Sequence, residues 1–258
     1  MIKFTVATCT FNAAKELPVT LESVLGQEYA EVEHLIIDGA SKDDSLDLIL
    51  KYKRQSDEAL NGHDVRIISE PDRGLYDAMN KALGNATGDY ILFLNAGDRF
   101  HSTDTLITIA DVCEQSDTLP GVVYGHTDIV DAQGHFLRKR RLEPPSDLHW
   151  TSFRYGMLVC HQAFFASTKL TAACKYDTRY RFSSDFDWCI RLMRMAEEQR
   201  LPLVNSGTII ADYLEGGMTK KNHRRSLWER FRIMSEHYGF LSAIRNHLYF
   251  VLRAVIKR

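Results

Sequence analysis

Residues 90–98 read YILFLNAGD, a run of five apolar residues that ends at a polar cluster. A short apolar run that stops at turn-forming residues predicts a strand buried on both faces of a sheet. Three earlier runs rich in β-forming residues also end at polar clusters, and they lie at residues 4–10, 34–37 and 65–68. The first hundred residues therefore predict four strands with polar residues at their carboxyl ends.

Helical patterns separate these strands. Apolar residues recur at helical spacing over residues 17–27 and 76–86. Ser41, with an acidic residue three positions later, predicts the N-cap of a further helix that runs to about Tyr52. Alternating strands and helices predict an α/β fold with a mostly parallel central sheet flanked by helices. Because such sheets bind ligands beyond the carboxyl ends of their strands, the polar clusters mark the expected site.

The second half has a less regular pattern. Strands are predicted at residues 122–125, 127–130 and 158–165, and a turn at 131–134 leads into a hairpin partner at 135–138. A helix is predicted over residues 185–197, and the adjacent glycines of 215–217 predict a bend.

Charge is distributed unevenly along the chain. Residues 220–258 hold ten basic and two acidic residues, a balance of +8, so the net charge of −2 leaves residues 1–219 at −10. An acidic body argues against a nucleic-acid partner. The chain opens on a strand pattern rather than a signal peptide, and it has no apolar run of membrane-spanning length. We therefore expect a cytoplasmic protein.

Several catalytic motifs are absent from the sequence. Neither phosphate-binding glycine pattern, G-x-x-x-x-G-K-[ST] or G-x-G-x-x-G, is present, which disfavours kinases, NTPases and dinucleotide oxidoreductases. H-E-x-x-H and G-x-S-x-G are also missing, which disfavours the corresponding metalloproteases and hydrolases.

Two strand-end carboxylates are the first candidates for chemistry. Asp38 could accept hydrogen bonds from a base or a ribose hydroxyl, and Asp98 could bind Mg²⁺ or Mn²⁺ that bridges two phosphates. Each residue taken alone also fits a structural role, as a turn or capping aspartate.

Four segments of the first half resemble the family 2 glycosyltransferases, in the order in which that family carries them. They are Val6–Asn12, Ile36–Asp43 with Asp38-Gly39-Ala40-Ser41, Ser69–Lys81 and Gly88–Asp98. The third segment is similar to a variant found in bacterial exopolysaccharide enzymes, the colanic-acid-synthesis branch among them. Arg181–Asp187 and Gly216–Thr219 continue the resemblance more thinly.

The resemblance implies a GT-A fold and a nucleotide-diphosphate sugar donor. It implies a nucleotide-sugar-binding half at residues 1–100, an acceptor-binding half at 101–219 and a basic helical extension at 220–258. The residues expected to contact the donor are Thr8, Thr10, Phe11, Asn12, Asp38, Ser41, Glu70, Asp72, Tyr76 and Asn80.

The resemblance also implies a divalent metal, Mn²⁺ or Mg²⁺, at Asp98. The family's D-x-D pattern is reduced here to Asn95-Ala96-Gly97-Asp98, so only one acid of the pattern remains. His161 and His223 are candidates for a further ligand, although each also fits a structural role.

The catalytic base implied by the resemblance is Asp185, with Asp187 as the alternative. A carboxylate there would take the proton of an acceptor hydroxyl as that hydroxyl attacks the anomeric carbon, with inversion and no covalent intermediate. If both aspartates lie on one helix, they face different directions, so only one can point into the site.

The basic tail predicts helices over residues 226–258, with apolar residues at helical spacing from Leu241 onward. Such a helix could lie on an anionic membrane at its inner face, which would suit a lipid-linked oligosaccharide acceptor. Packing on the core or a homodimer contact are the alternatives.

Two other functions remain open at this point. Loss of the D-x-D acids favours a catalytically silent sugar-nucleotide-binding or scaffold subunit, against which stands the retention of Asp38, Asp98 and Asp185. A nucleotidyltransferase would need a glycine-rich, basic first loop, which residues 8–14 lack.

Overall fold

The computed structural model describes residues 1–216 and 222–256, without the side chains of His223 and of residues 251–256. The strands are β1 (Phe4–Thr10), β2 (Val32–Asp38), β3 (Asp64–Ser69), β4 (Tyr90–Phe93), β5 (Arg99–Phe100), β6 (Val122–Val130), β7 (Phe136–Lys139), β8 (Phe164–Ser167) and β9 (Leu203–Leu214). The helices are α1 (Leu17–Leu25), α2 (Ser45–Ala59), α3 (Leu75–Asn85), α4 (Thr105–Glu114), α5 (Thr168–Thr171), α6 (Ser184–Glu198), α7 (His223–Tyr238) and α8 (Phe240–Ile256).

One sheet runs through the molecule in the order β3-β2-β1-β4-β8-β6-β9-β5. The strand β7 lies off this path and pairs with β6. The four strands of the first half are parallel to one another, as their apolar sequences predict. The second half is mixed, because β8 is antiparallel to both β4 and β6, whereas β9 is parallel to β6. The carboxyl ends of β1, β2, β3 and β4 therefore meet at one edge.

Both faces of this sheet are covered. Ala7 and Phe93 belong to a large cluster that includes side chains of α3 and α6, whereas Val6 and Leu92 pack with α4 on the opposite face. Alternate residues of β1 and β4 thus enter different cores, which explains why these strands have no polar face.

Three local predictions were wrong. The second helix begins at Ser45 rather than after Ser41 and continues to Ala59, because the Ser41 side chain is hydrogen-bonded to Asp38 instead of capping a helix. Residues 158–165 are not one strand, since a 3₁₀ turn at His161–Ala163 precedes β8. The strands expected at 122–125 and 127–130 form the single strand β6, with a register shift at His126.

The hairpin of β6 and β7 and the α6 helix lie where the sequence predicts them. The bend expected at residues 215–217 is a turn at 215–216, and Gly217 lies outside the described residues. The basic tail forms α7 and α8.

Candidate functional site

The strand-end polar residues of the first half lie side by side. Register pairs Thr10 of β1 with Asp38 of β2, and Asp38 with Ser69 of β3. The loops that follow these strands form a rim at the carboxyl edge of the sheet.

Asp38 organises this rim from beneath. Its carboxylate is fully buried, and it accepts hydrogen bonds from the Ser41 hydroxyl and from the Ser69 hydroxyl at 2.7 Å. The Ser41 oxygen in turn accepts the backbone N–H of Asn12 at 2.8 Å, and Asn12 Oδ1 accepts the N–H of Lys42. Asp38 therefore ties three loops together.

The backbone at this rim is held in an uncommon conformation. Asn12 has φ = 49° and Ala40 has φ = 59°, in the left-handed region that non-glycine residues seldom adopt. Such conformations persist only where surrounding hydrogen bonds enforce them, and they cluster at ligand sites. The rim is thus preorganised by its own contacts.

Phe11 and Asp72 both lie against Gly39 at this rim. The Phe11 ring is 58% exposed, and a Cβ added at Gly39 would clash with both Phe11 and the Asp72 carboxylate. Asp72 accepts the N–H of Gly74 at 2.7 Å, and Glu70 pairs with Lys81 at 2.8 Å.

Two expected donor contacts have side chains committed to the fold. Thr8 is fully buried, and its hydroxyl donates to the Leu94 carbonyl at 2.9 Å. Asn80 exchanges two hydrogen bonds with the backbone of Tyr176. The Thr8 contact holds β1 against the end of β4, and the Asn80 contacts hold α3 against the loop before α6. Both side chains are therefore used inside the protein.

Asp98 is a buried carboxylate whose described partners are all neutral. Its oxygens accept the Gln162 side-chain amide at 2.9 Å and the N–H of Leu214 at 3.1 Å. Burial raises the pKa of Asp98 to about 7, and these hydrogen bonds offset only part of that rise.

Asn95 supplies a second oxygen beside Asp98. The backbone N–H of Asp98 donates to the Asn95 carbonyl, while Asn95 Oδ1 is buried and has no hydrogen-bond partner among the described residues. A carboxylate without a cationic partner among the described residues, and an unpartnered amide oxygen three residues before it in the chain, are the kind of oxygen ligands that Mg²⁺ and Mn²⁺ prefer. The residues present thus fit a divalent cation.

Asp185 lies in the first turn of α6 and remains 15% exposed. Tyr76 donates its hydroxyl to Asp185 Oδ1 at 3.0 Å, and His161 Nδ1 lies 3.5 Å from Oδ2. Burial lowers the pKa of His161 despite the nearby Asp185 charge, so its imidazole is neutral at pH 7. The two direct contacts of Asp185 are therefore neutral groups, and Arg140 interacts with it electrostatically without forming a described ion pair.

Asp187 has the opposite surroundings. It is buried, and Arg191 Nε and His237 Nε2 each lie 2.7 Å from one of its oxygens. Burial alone would raise the pKa of Asp187, but the His237 hydrogen bond and the Arg191 charge hold it below its usual value. Asp187 fastens α6 to α7.

The 3₁₀ turn at His161–Ala163 contacts both Asp98 and Asp185. Gln162 contacts Asp98, and the preceding His161 lies beside Asp185 and 3.3 Å from the Asn95 amide. The sequence analysis missed Gln162 entirely. Its signal was two adjacent polar residues inside the apolar run 158–165, a pattern that a simple strand does not explain.

The side chain of His223 lies outside the described residues, as do Gly217, Met218 and Thr219. The metal-ligand role expected of His223 and the family resemblance at Gly216–Thr219 therefore stay predictions.

The architecture is that of the GT-A glycosyltransferases. Residues 5–170 match the sequence profile of Glycosyl transferase family 2, which covers more than half of the chain. The chain therefore belongs to glycosyl transferase family 2, and it is a glycosyltransferase.

The chain is similar to relatives that are named as biosynthesis glycosyltransferases. A PGL/p-HBAD biosynthesis glycosyltransferase of Mycobacterium bovis is 32% identical over 189 residues, which are 73% of this chain and 68% of that protein. The amylovoran biosynthesis glycosyltransferase AmsB of Erwinia amylovora is 28% identical over 199 residues, with 74% and 64% covered.

Solved structures share the fold at low identity. Staphylococcus aureus TarS 1–349 in complex with UDP-GlcNAc has a TM-score of 0.68 at 16% identity, over 96% of this chain and 73% of that one. The Pyrobaculum calidifontis mannosyltransferase PcManGT, in complex with GDP-Man and Mn²⁺, has a TM-score of 0.61 at 14% identity, over 95% and 74%.

Proposed function

We propose that this enzyme is an inverting glycosyltransferase that moves a sugar from a nucleoside diphosphate sugar to a hydroxyl of a glycan or lipid-linked oligosaccharide in bacterial surface polysaccharide synthesis. The observation that carries the proposal is Asp185, a partly exposed carboxylate beside neutral groups and joined through one 3₁₀ turn to Asp98. The relative named for amylovoran biosynthesis supports the acceptor class.

In the proposed reaction Asp185 removes the proton of the acceptor hydroxyl as that oxygen attacks the anomeric carbon from the face opposite the leaving diphosphate. The Tyr76 hydroxyl and the His161 ring orient the carboxylate. One displacement inverts the anomeric configuration, and no enzyme nucleophile is required.

The donor half is proposed to be residues 1–100 and the acceptor half residues 101–219. Phe11, Asn12, Ser41 and Asp72 at the rim are the proposed donor contacts, with Thr10, Glu70 and Tyr76 nearby. Asp38 acts by fixing the loops, because its oxygens are already hydrogen-bonded.

Asp98 and the Asn95 amide oxygen are proposed to hold Mn²⁺ or Mg²⁺. When bound, the cation supplies positive charge for the diphosphate leaving group. Asp98 must lose its proton to bind the cation, and the nearby neutral amides of Gln162 and Leu214 keep the carboxylate oriented.

The basic extension, residues 220–258, is proposed to contact the inner face of the plasma membrane. Leu241 and Leu248 of α8 are 81% and 60% exposed on one helical face, whereas Ala243 and Asn246 of the same helix are buried. Trp228 of α7 is 66% exposed next to a groove lined by Arg224 and Arg225. Apolar and aromatic side chains near arginines suit an anionic bilayer surface.

No helix among the described residues is both long and apolar enough to cross a membrane. Co-sedimentation with phosphatidylglycerol vesicles tests a surface contact, with Leu241→Glu as the disrupting variant and Leu119→Glu, on an exposed loop, as its control. Sedimentation velocity of the same proteins tests the alternative, a homodimer formed through α8.

The donor site is tested by thermal unfolding with UDP, GDP and other nucleoside diphosphates, with and without Mn²⁺. A ligand present at 100 times its dissociation constant should add about 2.7 kcal/mol to the free energy of unfolding. A metal-dependent shift with one nucleotide that is lost in Asp98→Ala supports the proposal and identifies the donor class. No shift in folded protein would favour the silent scaffold instead.

The reaction itself is tested with the sugar nucleotide identified in this way. Proton NMR of the first product formed should show an anomeric configuration opposite to that of the donor. Retention, or donor binding without turnover in the presence of acceptor extracts, would contradict the inverting mechanism or the enzyme role respectively.

A further inference from the structure

A second group of metal-binding side chains lies near Asp98 but contacts different partners. His101 Nδ1 is 2.7 Å from Asp212 Oδ1, and one ligand atom each of His101, Asp128 and Asp212 lies within 4.8 Å of the others. Asp98 contacts Gln162 and Leu214 instead, so the two groups share no side chain.

The fold brings the three residues together from distant parts of the chain. β9 lies between β5 and β6, with Arg99 paired to Asp212 and Asp128 paired to Asp212 by register. His101 directly follows β5. The group therefore joins three strands at one point of the sheet.

Asp128 is the member of the group that has no ion pair among the described residues. It is only 8% exposed, and no described residue forms a hydrogen bond or ion pair with its carboxylate. A buried carboxylate without a partner is costly, because the interior does not replace its hydration. Its position beside a second carboxylate and an imidazole makes a cation the natural partner.

Arg99 does not occupy this position. Its guanidinium binds Asp212 Oδ2 at 2.9 Å, which leaves Oδ1 facing His101. Hydrogen bonds to the far oxygen of a ligating carboxylate are common around metal sites, where they orient the ligand.

We propose that His101, Asp128 and Asp212 form a second divalent metal site, separate from Asp98, with one imidazole nitrogen and two carboxylate oxygens as ligands. This ligand set suits Zn²⁺ or Mn²⁺. The ion would link β5, β6 and β9, and through β9 it would brace Leu214, whose N–H holds Asp98. His101 is 40% exposed, which gives the ion a path from solvent.

The test counts bound metal without any nucleotide. Protein treated with EDTA is dialysed against Zn²⁺ or Mn²⁺, and the metal retained per chain is measured by mass spectrometry. We expect Asp98→Asn to retain one equivalent, and the affinity of this site to be at least ~10-fold lower in Asp128→Asn and His101→Gln than in the wild type. Asp131→Asn, which changes a partly exposed carboxylate whose ion pair among the described residues is with His135, is the matched control.

A second measurement guards against misfolding of the Asp128 variant. His101→Gln changes a half-exposed side chain, and its thermal unfolding should match that of the metal-free wild type. In the wild type, Zn²⁺ should shift the ring-nitrogen NMR signals of His101. The proposal is overturned if the wild type binds no ion, if Asp98→Asn abolishes the binding, or if both Asp128→Asn and His101→Gln retain it. Because no nucleotide is present, none of these outcomes depends on the donor site.

Discussion

Asp185 and Asp187 stand two residues apart on α6, yet their surroundings differ completely. Asp187 lies between Arg191 and His237, both at 2.7 Å, whereas Asp185 lies beside the Tyr76 hydroxyl and a neutral His161. Residues two apart on a helix point about 200° from each other. Asp187 therefore faces the α7 helix, and Asp185 faces Tyr76 and His161.

We interpret this contrast as a difference in role, with Asp187 stabilising the fold and Asp185 as the proposed base. A carboxylate matched by fixed cations favours its charged form, so it anchors structure and resists protonation. A carboxylate next to neutral groups can gain and lose a proton without breaking an ion pair. By this criterion Asp98 belongs with Asp185, because its described partners are also neutral.

The largest expected effect is on catalysis at Asp185. Asp185→Asn removes the proposed base, so the turnover number should fall about 100- to 10,000-fold. The free energy of unfolding should change little, because the amide can still accept the Tyr76 hydrogen bond. Transfer assays and chemical denaturation measure the two quantities. Near-normal turnover would assign the base to another residue.

Asp187→Asn should give the reverse result. It leaves Arg191 and His237 without their carboxylate, and loss of one partner from a buried pair costs about 3 kcal/mol, near the lower end for such pairs because Arg191 is partly exposed. Urea denaturation measures this loss. Turnover per folded molecule should stay within a few-fold of the wild type, and a collapse of turnover in folded protein would erase the contrast.

The pH dependence of metal binding tests whether a proton on Asp98 competes with the cation. Its pKa of about 7 means that a proton competes with the cation below neutral pH. Mn²⁺ affinity, measured by calorimetry with nucleotide present, should fall up to about tenfold per pH unit below pH 7. An Mn²⁺ affinity that does not change between pH 5.5 and 8 would show that no proton on Asp98 competes with the cation in this range.

The same pKa has a consequence for the metal-free protein. A carboxyl group whose folded pKa lies above its unfolded value stabilises the fold fully below about pH 4, and this contribution is lost as the pH rises through about 7. Asp98→Asn should remove that loss, so the variant should gain stability relative to the wild type between pH 5 and 8. Asp187 acts oppositely, since its stabilisation is lost as the pH falls below the usual aspartate range.

The smallest expected effect is at Tyr76. Tyr76→Phe removes the hydroxyl that orients Asp185 and keeps the ring stacked on Tyr176. A hydrogen bond to a charged group is worth about 1.5 kcal/mol, so turnover should fall roughly tenfold with an unchanged KM for the donor. Tyr180→Phe, which removes the hydroxyl of a buried tyrosine in the loop before α6, is the control. A change in donor KM alone would place Tyr76 in donor binding.

Most of the first half was predictable, because its strands are apolar on both faces and must be buried between helices. The family, the fold and the strand-end position of Asp38 and Asp98 all follow from that pattern and from the four motifs. The boundaries of α2 were mispredicted, since Ser41 looks like a helix cap until Asp38 is seen to hold it.

The roles of single side chains were less predictable. Thr8 and Asn80 occur within the recognised motifs, but their side chains are used inside the protein. Gln162 and the Asp128 group could not be found, because Asp98 lies 64 residues from Gln162, and the Asp128 group combines residues of β6 and β9 with the residue that follows β5.

The sequence by itself determined the family, the α/β architecture and the edge of the sheet where the polar loops of the first half meet, because hydrophobic periodicity and motif order are properties of neighbouring residues. Only the tertiary structure decided which of two aspartates on one helix lies between Arg191 and His237, which side chains surround Asp98, and that Asp128 has no ion pair among the described residues. These outcomes depend on pairs brought together by β-sheet register and helix packing, and the energy of a buried charge depends on those distant neighbours rather than on adjacent residues.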